Sequence, residues 1–203
     1  MSRYFFSKVI ALFAGIVLLV IAYNHNANSL YVISGNAYGT TWSVSSPQYI
    51  ADNHKEAIKN IINDIDYVAS NYKSESEISK INMNFKEFQF VSDELFDILK
   101  IAKSVEAISE GYYNIMLGKI SSSLGFAPDF GKNPLQKKLS TYELDETNRS
   151  LIRYSENWFD LSSIAKGYAV QKIHEYLSLS SLNNHLIDIC LLYTSDAADE
   201  ITG

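Results

Sequence analysis

A junction between a strand and a helix near the end of the chain constrains the fold more than any other feature of the sequence. Trp158 and Phe159 are typical of the end of a buried strand. Ser162 or Ser163 is predicted to cap the following helix by accepting its free N–H groups. The helix itself is predicted from four apolar residues at helical spacing: Ala165, Ala169, Ile173 and Leu177.

The same junction has the chemistry of a phosphate site. The N-terminal end of a helix has free amides and a positive dipole, and both favour a bound anion. Lys166 adds a positive charge near that end, and Gly167 leaves room for close approach. A bound pyrophosphate is therefore one interpretation. A capped helix with a solvated lysine is the other, and these residues alone do not decide between them.

Strands and helices alternate along the rest of the chain. Ser92 is predicted to cap one of the helices and Gly111 to end it, whereas the pattern over 136–153 is too polar to assign. The alternation predicts an α/β or α+β domain. The predicted elements are strands over 31–35, 40–44 and 184–189, helices over 54–72 and 94–109, and a loop over 125–134.

The N-terminal segment, residues 1–23, is predicted to direct the protein out of the cytoplasm. Apart from Ser7 and Lys8 it is apolar or aromatic from its fourth residue onward, and Arg3 lies at its front. This pattern is typical of a cleaved signal peptide or an uncleaved signal anchor, and the poor cleavage sites favour the anchor. The positive residues then place the amino end in the cytoplasm and the rest, in a bacterium, on the periplasmic side of the inner membrane. Residues 24–30 are predicted to form a polar tether.

The last fourteen residues, 190–203, differ in character from the rest. They resemble the translation of a sequencing adapter, so we expect them to be non-native and to form no part of the fold. They contain the only cysteine, so the rest of the chain needs no disulfide. Without them the chain has 20 acidic and 17 basic residues, a net charge of −3 that gives no support to a nucleic-acid partner.

Four stretches, in order along the chain, resemble the ApbE-type family of FAD:protein FMN transferases. The resemblance identifies residues 31–189 as a partial domain of that family, truncated in its C-terminal half, because the family continues past this point with a Gly-Gly-Glu turn. It implies the family's mixed sheet flanked by helices. The stretches are GNAYGTTW at 35–42, SNYK and SEISKIN at 70–73 and 76–82, SEGYYN and LGF at 109–114 and 124–126, and DLSSIAKGYAV at 160–170.

The resemblance also implies a site for FAD and Mg²⁺. It makes the backbone carbonyl of Ser163 one ligand of Mg²⁺, and it assigns no catalytic residue. The side-chain chemistry is consistent: aromatic rings can stack on the flavin or adenine, Asp160 can accept from a hydroxyl, and Lys166 can offset pyrophosphate charge. The side chains implied to line FAD are Tyr38, Tyr72, Tyr112, Tyr113, Asn114, Asp160 and Lys166.

The sequence departs from the family pattern at several of these positions. Tyr38 replaces a usual methionine, residues 112–114 replace Ala-Phe-Asp, and Gln171 replaces a common aspartate. The amide of Asn114 lacks the charge of a carboxylate, so either a neutral acceptor is tolerated here or the flavin binds more weakly. The family's other magnesium ligands would follow residue 189, and one carbonyl cannot hold a cation that takes six oxygens.

The activity implied is Mg²⁺-dependent transfer of FMN from FAD to a threonine of an acceptor protein, with release of AMP. The expected acceptor is a flavoprotein subunit of a membrane redox complex, and the fragment itself is expected to be inactive. A membrane-tethered protein that binds or hydrolyses FAD and a non-catalytic periplasmic adaptor remain alternatives. The histidines, at 25, 54, 174 and 185, lie in no catalytic or metal-binding motif.

Overall fold

The computed structural model describes residues 3–27, 30–128 and 140–189, so the predicted non-native tail and part of the predicted loop lie outside the described residues. The described helices are α1 (Arg3–Ala27), α2 (Asp52–Ala69), α3 (Glu77–Met83), α4 (Asp93–Ile108), α5 (Gly118–Ser123) and α6 (Ser162–Leu179). The described strands are β1 (Tyr31–Ala37), β2 (Thr40–Ser46), β3 (Phe88–Phe90), β4 (Tyr142–Asp145), β5 (Ser150–Arg153) and β6 (Leu186–Ile189).

Helix α1 contains most of the apolar N-terminal segment. Its side chains from Phe6 to Ile21 are exposed. Within the described ranges, no helix is both long enough and apolar enough to cross a membrane. The division of the chain into signal segment, tether, partial domain and tail stays a prediction.

The strands form two three-stranded sheets, in the orders β1-β2-β6 and β3-β5-β4, with antiparallel pairing throughout the described residues. The strands predicted over 31–35 and 40–44 are confirmed as β1 and β2, which form a hairpin. Its turn places Tyr38 and Gly39 at positive φ (52° and 78°), as a tight hairpin turn requires. The predicted strand near the end is confirmed as β6, which pairs with β2. The α/β (α+β) class predicted from the sequence is therefore correct.

Two hydrophobic clusters form the core, and α6 belongs to both. Its first half places Ala165, Tyr168 and Ala169 in a cluster with α4 and β5. Its second half places Ile173 and Leu177 in a cluster with α2 and the β1–β2 hairpin. The direction of α6 is therefore fixed at both ends by packing.

The helices predicted over 54–72 and 94–109 are confirmed as α2 and α4, although Ile108, at an apolar position of the helical pattern, is exposed and does not face inward. Ser92 caps α4, since its hydroxyl accepts the N–H of Leu95 at 3.1 Å. Gly111, at φ 84°, ends the turn that follows by donating its N–H to the carbonyl of Glu106. The fully or almost fully buried residues are Ile58, Ile62 and Ile65 of α2, and Leu95, Ile98 and Leu99 of α4.

The strand predicted to precede α6 is wrong. Residues 157–161 belong to neither sheet, although Trp158 and Phe159 are buried. The segment instead bonds to the loop before α5 and to its first residue: Gly118 donates to the carbonyl of Trp158 at 2.8 Å, and Asp160 donates to the carbonyl of Ile115 at 2.7 Å. The buried side chains of this segment give it the apolar sequence pattern of a strand. Its backbone, however, makes no hydrogen-bond ladder with any of the described strands.

Gly118 is required for this close contact. A Cβ atom at this position would lie 2.7 Å from the carbonyl oxygen of Phe159 and 2.8 Å from the Cβ of Trp158. Both distances are shorter than van der Waals contact, and the first is to the backbone, which cannot swing aside. The absence of a side chain at Gly118 therefore lets α5 pack directly on the segment.

The polar stretch over 136–153, unassigned from sequence, contains the β4–β5 hairpin. Its last strand ends at Arg153, which is fully buried. The guanidinium donates to the carbonyls of Ile81 and Asn157, both at 2.7 Å, and lies 5.2 and 5.3 Å from the rings of Phe85 and Phe159. Burial lowers the pKa of Arg153 to about 10, so the group stays charged at neutral pH.

Burial of this charge is offset within the core. Desolvation of one ion costs several kcal/mol. Two hydrogen bonds from a charged donor contribute about 3–6 kcal/mol together, and two desolvated cation–π contacts about 2–4 kcal/mol. The opposing contributions are of similar size, so Arg153 can be accommodated at a fully buried position.

Candidate functional site

The N-terminal end of α6 is capped differently from the prediction. The helix begins at Ser162, and its N-cap, Leu161, makes no side-chain cap bond. Asp160 serves instead: its Oδ1 accepts the N–H of Ser162 at 3.0 Å and the hydroxyl of Ser162 at 2.5 Å. Ser162 and Ser163 are already inside the first turn, so the prediction that either caps the helix is wrong.

Tyr113 lies against this helix end. Its hydroxyl is 3.1 Å from the hydroxyl of Ser163, and either can donate. Burial raises the pKa of Tyr113 and the nearby Asp160 carboxylate adds to the rise, while the Ser163 hydrogen bond opposes both. The structure thus brings together three predicted site residues: a phenol, a hydroxyl and a carboxylate.

Asn114 uses its side-chain amide within its own loop. Its Oδ1 accepts the N–H of Met116 at 2.7 Å, and its Nδ2 donates to the carbonyl of Ser140 at 3.3 Å. A carboxylate could make the first bond but cannot donate the second. The asparagine that replaces the family's usual aspartate therefore fits its surroundings here.

Lys166 and Gly167 lie on the exposed face of α6, one residue beyond its first turn. Within the described part of the chain, the Lys166 ammonium makes no hydrogen bond or ion pair. A Cβ added at Gly167 would meet no heavy atom within 4 Å. Packing therefore requires neither residue, and both leave the helix surface accessible to a ligand.

The three other tyrosines lie in different surroundings. Tyr72 is exposed and donates its hydroxyl to the carbonyl of Phe126 at 2.5 Å, which links two of the family-like stretches. Tyr112 is 94% exposed, so its ring is available to a partner. Tyr38 sits in the hairpin turn and packs on the second hydrophobic cluster. Their roles toward FAD stay predictions.

Mg²⁺ is not accommodated by the described residues alone. In the described ranges, no three His, Cys, Asp or Glu side chains are grouped so that they could hold a metal ion. The Ser163 carbonyl implied by the resemblance would supply one of the six oxygens that Mg²⁺ takes.

A cavity of about 410 Å³ lies beside β3, away from the N-terminal end of α6. It is lined by Glu77, Lys80, Ile81, Asn84, Lys86, Gln89 and Phe90.

Two contacts at the site were not anticipated from sequence. Ser163 was implied only through its carbonyl, yet its hydroxyl meets Tyr113. Asn71 and Asn82 bond the backbone around Asp160. Both asparagines lie within the family-like stretches, which is the only signal that could have marked them, since asparagine is common at exposed positions.

Comparison with known proteins gives one consistent family. A model described as the ApbE family matches residues 38–192. The "FAD:protein FMN transferase" of Vibrio cholerae is 26% identical over 172 residues, covering 77% of this chain and 52% of that protein. The protein of the same name from Haemophilus influenzae is 27% identical over 178 residues, covering 77% and 51%. The chain thus spans about half the length of these curated relatives.

Solved structures show the same fold. The flavin transferase ApbE from Vibrio cholerae matches with a TM-score of 0.69 at 21% identity, over 80% of this chain and 57% of that one. The apo form of the Pseudomonas stutzeri flavinyl transferase ApbE matches with a TM-score of 0.67 at 19% identity, over 80% and 57%. The mixed α/β architecture is therefore that of these proteins.

The half-buried phenol of Tyr113 predicts a change in stability at alkaline pH. A group whose pKa is higher in the folded than in the unfolded state stabilises the fold below the unfolded value, about 10 for tyrosine. This contribution is lost as the pH rises through the folded value. Tyr113→Phe should therefore reduce the fall in unfolding free energy above pH 10, measured by urea unfolding from pH 7 to 11.

The adjacent Tyr112→Phe is the matched control, because that ring is 94% exposed. It should leave the alkaline slope as in the wild type. Identical slopes for all three proteins would contradict the burial argument for Tyr113.

Proposed function

The chain belongs to the ApbE family, and we propose that the complete protein transfers FMN from FAD to a threonine hydroxyl of an acceptor protein, with Mg²⁺ bound beside FAD. One observation carries the proposal. The family-like stretch at 160–170 forms the N-terminal end of an 18-residue helix, where Asp160, Ser163 and Tyr113 meet. The relatives' name, FAD:protein FMN transferase, supports the reaction type.

The chemistry at this helix end suits a pyrophosphate. The positive end of α6 and the ammonium of Lys166, which is unpaired among the described residues, both favour anionic oxygens. The hydroxyls of Ser163 and Tyr113 can each donate to a phosphate oxygen, and Asp160 retains one carboxylate oxygen that can accept from a ribose hydroxyl or base amine. These groups would bind and orient the dinucleotide.

In the proposed reaction the threonine oxygen forms a bond to the phosphorus of FMN while the pyrophosphate bond to AMP breaks. The hydroxyl proton is released, and the products are a flavinylated threonine and AMP. Mg²⁺, when bound, would neutralise charge on the pyrophosphate. The expected acceptor is a flavoprotein subunit of a membrane redox complex.

The present chain should not flavinylate an acceptor on its own, because the Ser163 carbonyl is the one magnesium ligand that the resemblance assigns to it. The chain, FAD, Mg²⁺ and a threonine-containing acceptor domain should give no covalent flavin fluorescence in a denaturing gel. The Vibrio cholerae transferase in its place is the positive control. A fluorescent acceptor band with this chain would contradict the expectation, and AMP release without a band would favour the FAD-hydrolysing alternative.

FAD binding tests the site directly. Lys166→Ala should weaken FAD about tenfold, the loss of roughly one charge-assisted contact, without changing stability, because the side chain is exposed and makes no hydrogen bond or ion pair with the described residues. Flavin fluorescence titration measures the affinity and thermal unfolding the stability. Lys172→Ala, on the same helix and of the same charge, is the control and should bind as the wild type does. No FAD binding by the wild type would favour the non-catalytic adaptor, and equal affinity for both variants would remove Lys166 from the site.

The proposed location is the periplasmic side of a bacterial inner membrane. The support is the apolar N-terminal segment with Arg3 and Lys8 at its front, whose side chains from Phe6 to Ile21 are exposed in α1. We expect the chain to stay uncleaved and to remain with the membranes after carbonate extraction, measured by immunoblot. A soluble, shorter product would identify a cleaved signal peptide, and a cytoplasmic product would contradict export.

A further inference from the structure

The backbone of residues 157–161 carries the candidate site, yet no neighbouring strand supports it. Phe159 and Leu161 are fully buried on either side of the half-buried Asp160. Buried N–H and C=O groups need hydrogen-bond partners. Without a sheet ladder, the partners of this segment must come from elsewhere.

Asn82, in α3, bonds to both polar groups of Phe159. Its Oδ1 accepts the Phe159 N–H at 2.8 Å, and its Nδ2 donates to the Phe159 carbonyl at 2.9 Å. This is the pair of bonds that an adjacent antiparallel strand would make. The side chain is 6% exposed, so these bonds are shielded from water.

Asn71, which follows α2, bonds to the segment on both sides of Asp160. Its Nδ2 donates to the Phe159 carbonyl at 2.6 Å, and its Oδ1 accepts the Leu161 N–H at 2.9 Å. The remaining N–H in this stretch, that of Asp160, donates to Ile115 at 2.7 Å. The peptide groups on either side of Asp160 are thus held by one side chain.

These bonds join three stretches that contain candidate FAD residues. Asn71 directly precedes Tyr72, and Ile115 directly follows Asn114. Both are bonded to the segment that ends at α6, where Asp160 and Ser163 lie. A shift of any one stretch would break bonds to another.

We propose that Asn71 and Asn82 are positioning residues of the FAD site, which hold Asp160 and the N-terminal end of α6 in register with Tyr72 and Tyr113. The proposal rests on the proposed function. Each amide is bonded to backbone at both its oxygen and its nitrogen, so each acts through the segment and not on the ligand. The residues are needed for FAD affinity although neither contacts FAD.

The positioning role requires an amide specifically, and this gives a test. Aspartate has nearly the same shape, but its carboxylate cannot donate to the Phe159 carbonyl and places a charge beside it. A protonated carboxyl restores the donor. Burial of a carboxyl next to a carbonyl favours this neutral form, so protonation occurs at mildly acidic pH.

We expect Asn71→Asp and Asn82→Asp in the full 203-residue chain to bind FAD at least tenfold more weakly than the wild type at pH 8. The difference should shrink toward zero as the pH is lowered to 5. Flavin fluorescence titration across this range measures the ratio. Asn84→Asp is the matched control, because Asn84 is exposed at the end of α3 and bonds only to the Lys80 carbonyl, and it should bind as the wild type does at every pH.

Hydrogen exchange of the Phe159 and Leu161 amides, measured without FAD, separates this inference from the proposed function. Each carboxylate can still accept the N–H that the asparagine oxygen accepts, so lower protection would report movement of the segment after the bond to the Phe159 carbonyl is lost. We expect Phe159 to be less protected in Asn82→Asp than in the wild type at pH 8, and Leu161 to be less protected in Asn71→Asp. If the wild type does not bind FAD, the proposed function fails, and hydrogen exchange alone then tests whether the asparagines hold the segment. Unchanged protection of the Phe159 and Leu161 amides in both variants overturns the positioning role.

Other results also overturn it. Faster exchange with unchanged FAD affinity would make the asparagines purely structural, and a loss of affinity that does not vary with pH would exclude the amide donor as the cause. If either aspartate variant is unfolded at pH 8 by circular dichroism, Asn71→Ser and Asn82→Ser replace them. These uncharged variants should weaken FAD equally at pH 5 and pH 8, and wild-type affinity in both would overturn the inference.

Discussion

The hydrogen bonds between two side-chain amides and one buried backbone segment are the interaction on which the rest of the structure depends. Residues 157–161 place Phe159 and Leu161 in the first hydrophobic cluster and lead into α6, which belongs to both clusters. In a sheet the ladder would hold such a segment. Here the side chains of Asn71 and Asn82 replace the ladder at Phe159, and Arg153 donates to the carbonyl of Asn157. These bonds fix the segment that leads into α6, while packing at both ends fixes the direction of the helix itself.

Elements that show their environment in their own sequence could be predicted. Helices α2 and α4 and the β1–β2 hairpin have clear periodicity and turn residues, and the structure confirms all three. The predicted strand at Trp158 and Phe159 is wrong. Apolar residues indicate that a segment is buried, but they do not indicate which groups its backbone bonds to. The β4–β5 hairpin was not predicted, because polar residues indicate exposure whereas Arg153 is fully buried.

The candidate site divides in the same way. Resemblance to a family located the stretches that form it, and the structure brings Tyr113, Asp160 and Ser163 together. Local sequence did not predict the hydrogen bond between the hydroxyls of Tyr113 and Ser163, because these residues are fifty positions apart in the chain. It also misplaced the cap of α6 by two or three residues, which moved that role from Asp160 to the serines. Contacts between distant stretches depend on the packing of the whole domain, which no short motif encodes.

Gly118 and Gly167 both lie near the start of α6, but conservation of glycine in relatives would have a different cause at each position. At Gly118 the backbone of residues 158 and 159 fills the space where a side chain would begin, so selection there would report on the fold alone. At Gly167 the space is open. Selection for glycine at that position would need a cause outside the described residues, and its evolutionary record would therefore trace an occupant of the helix surface.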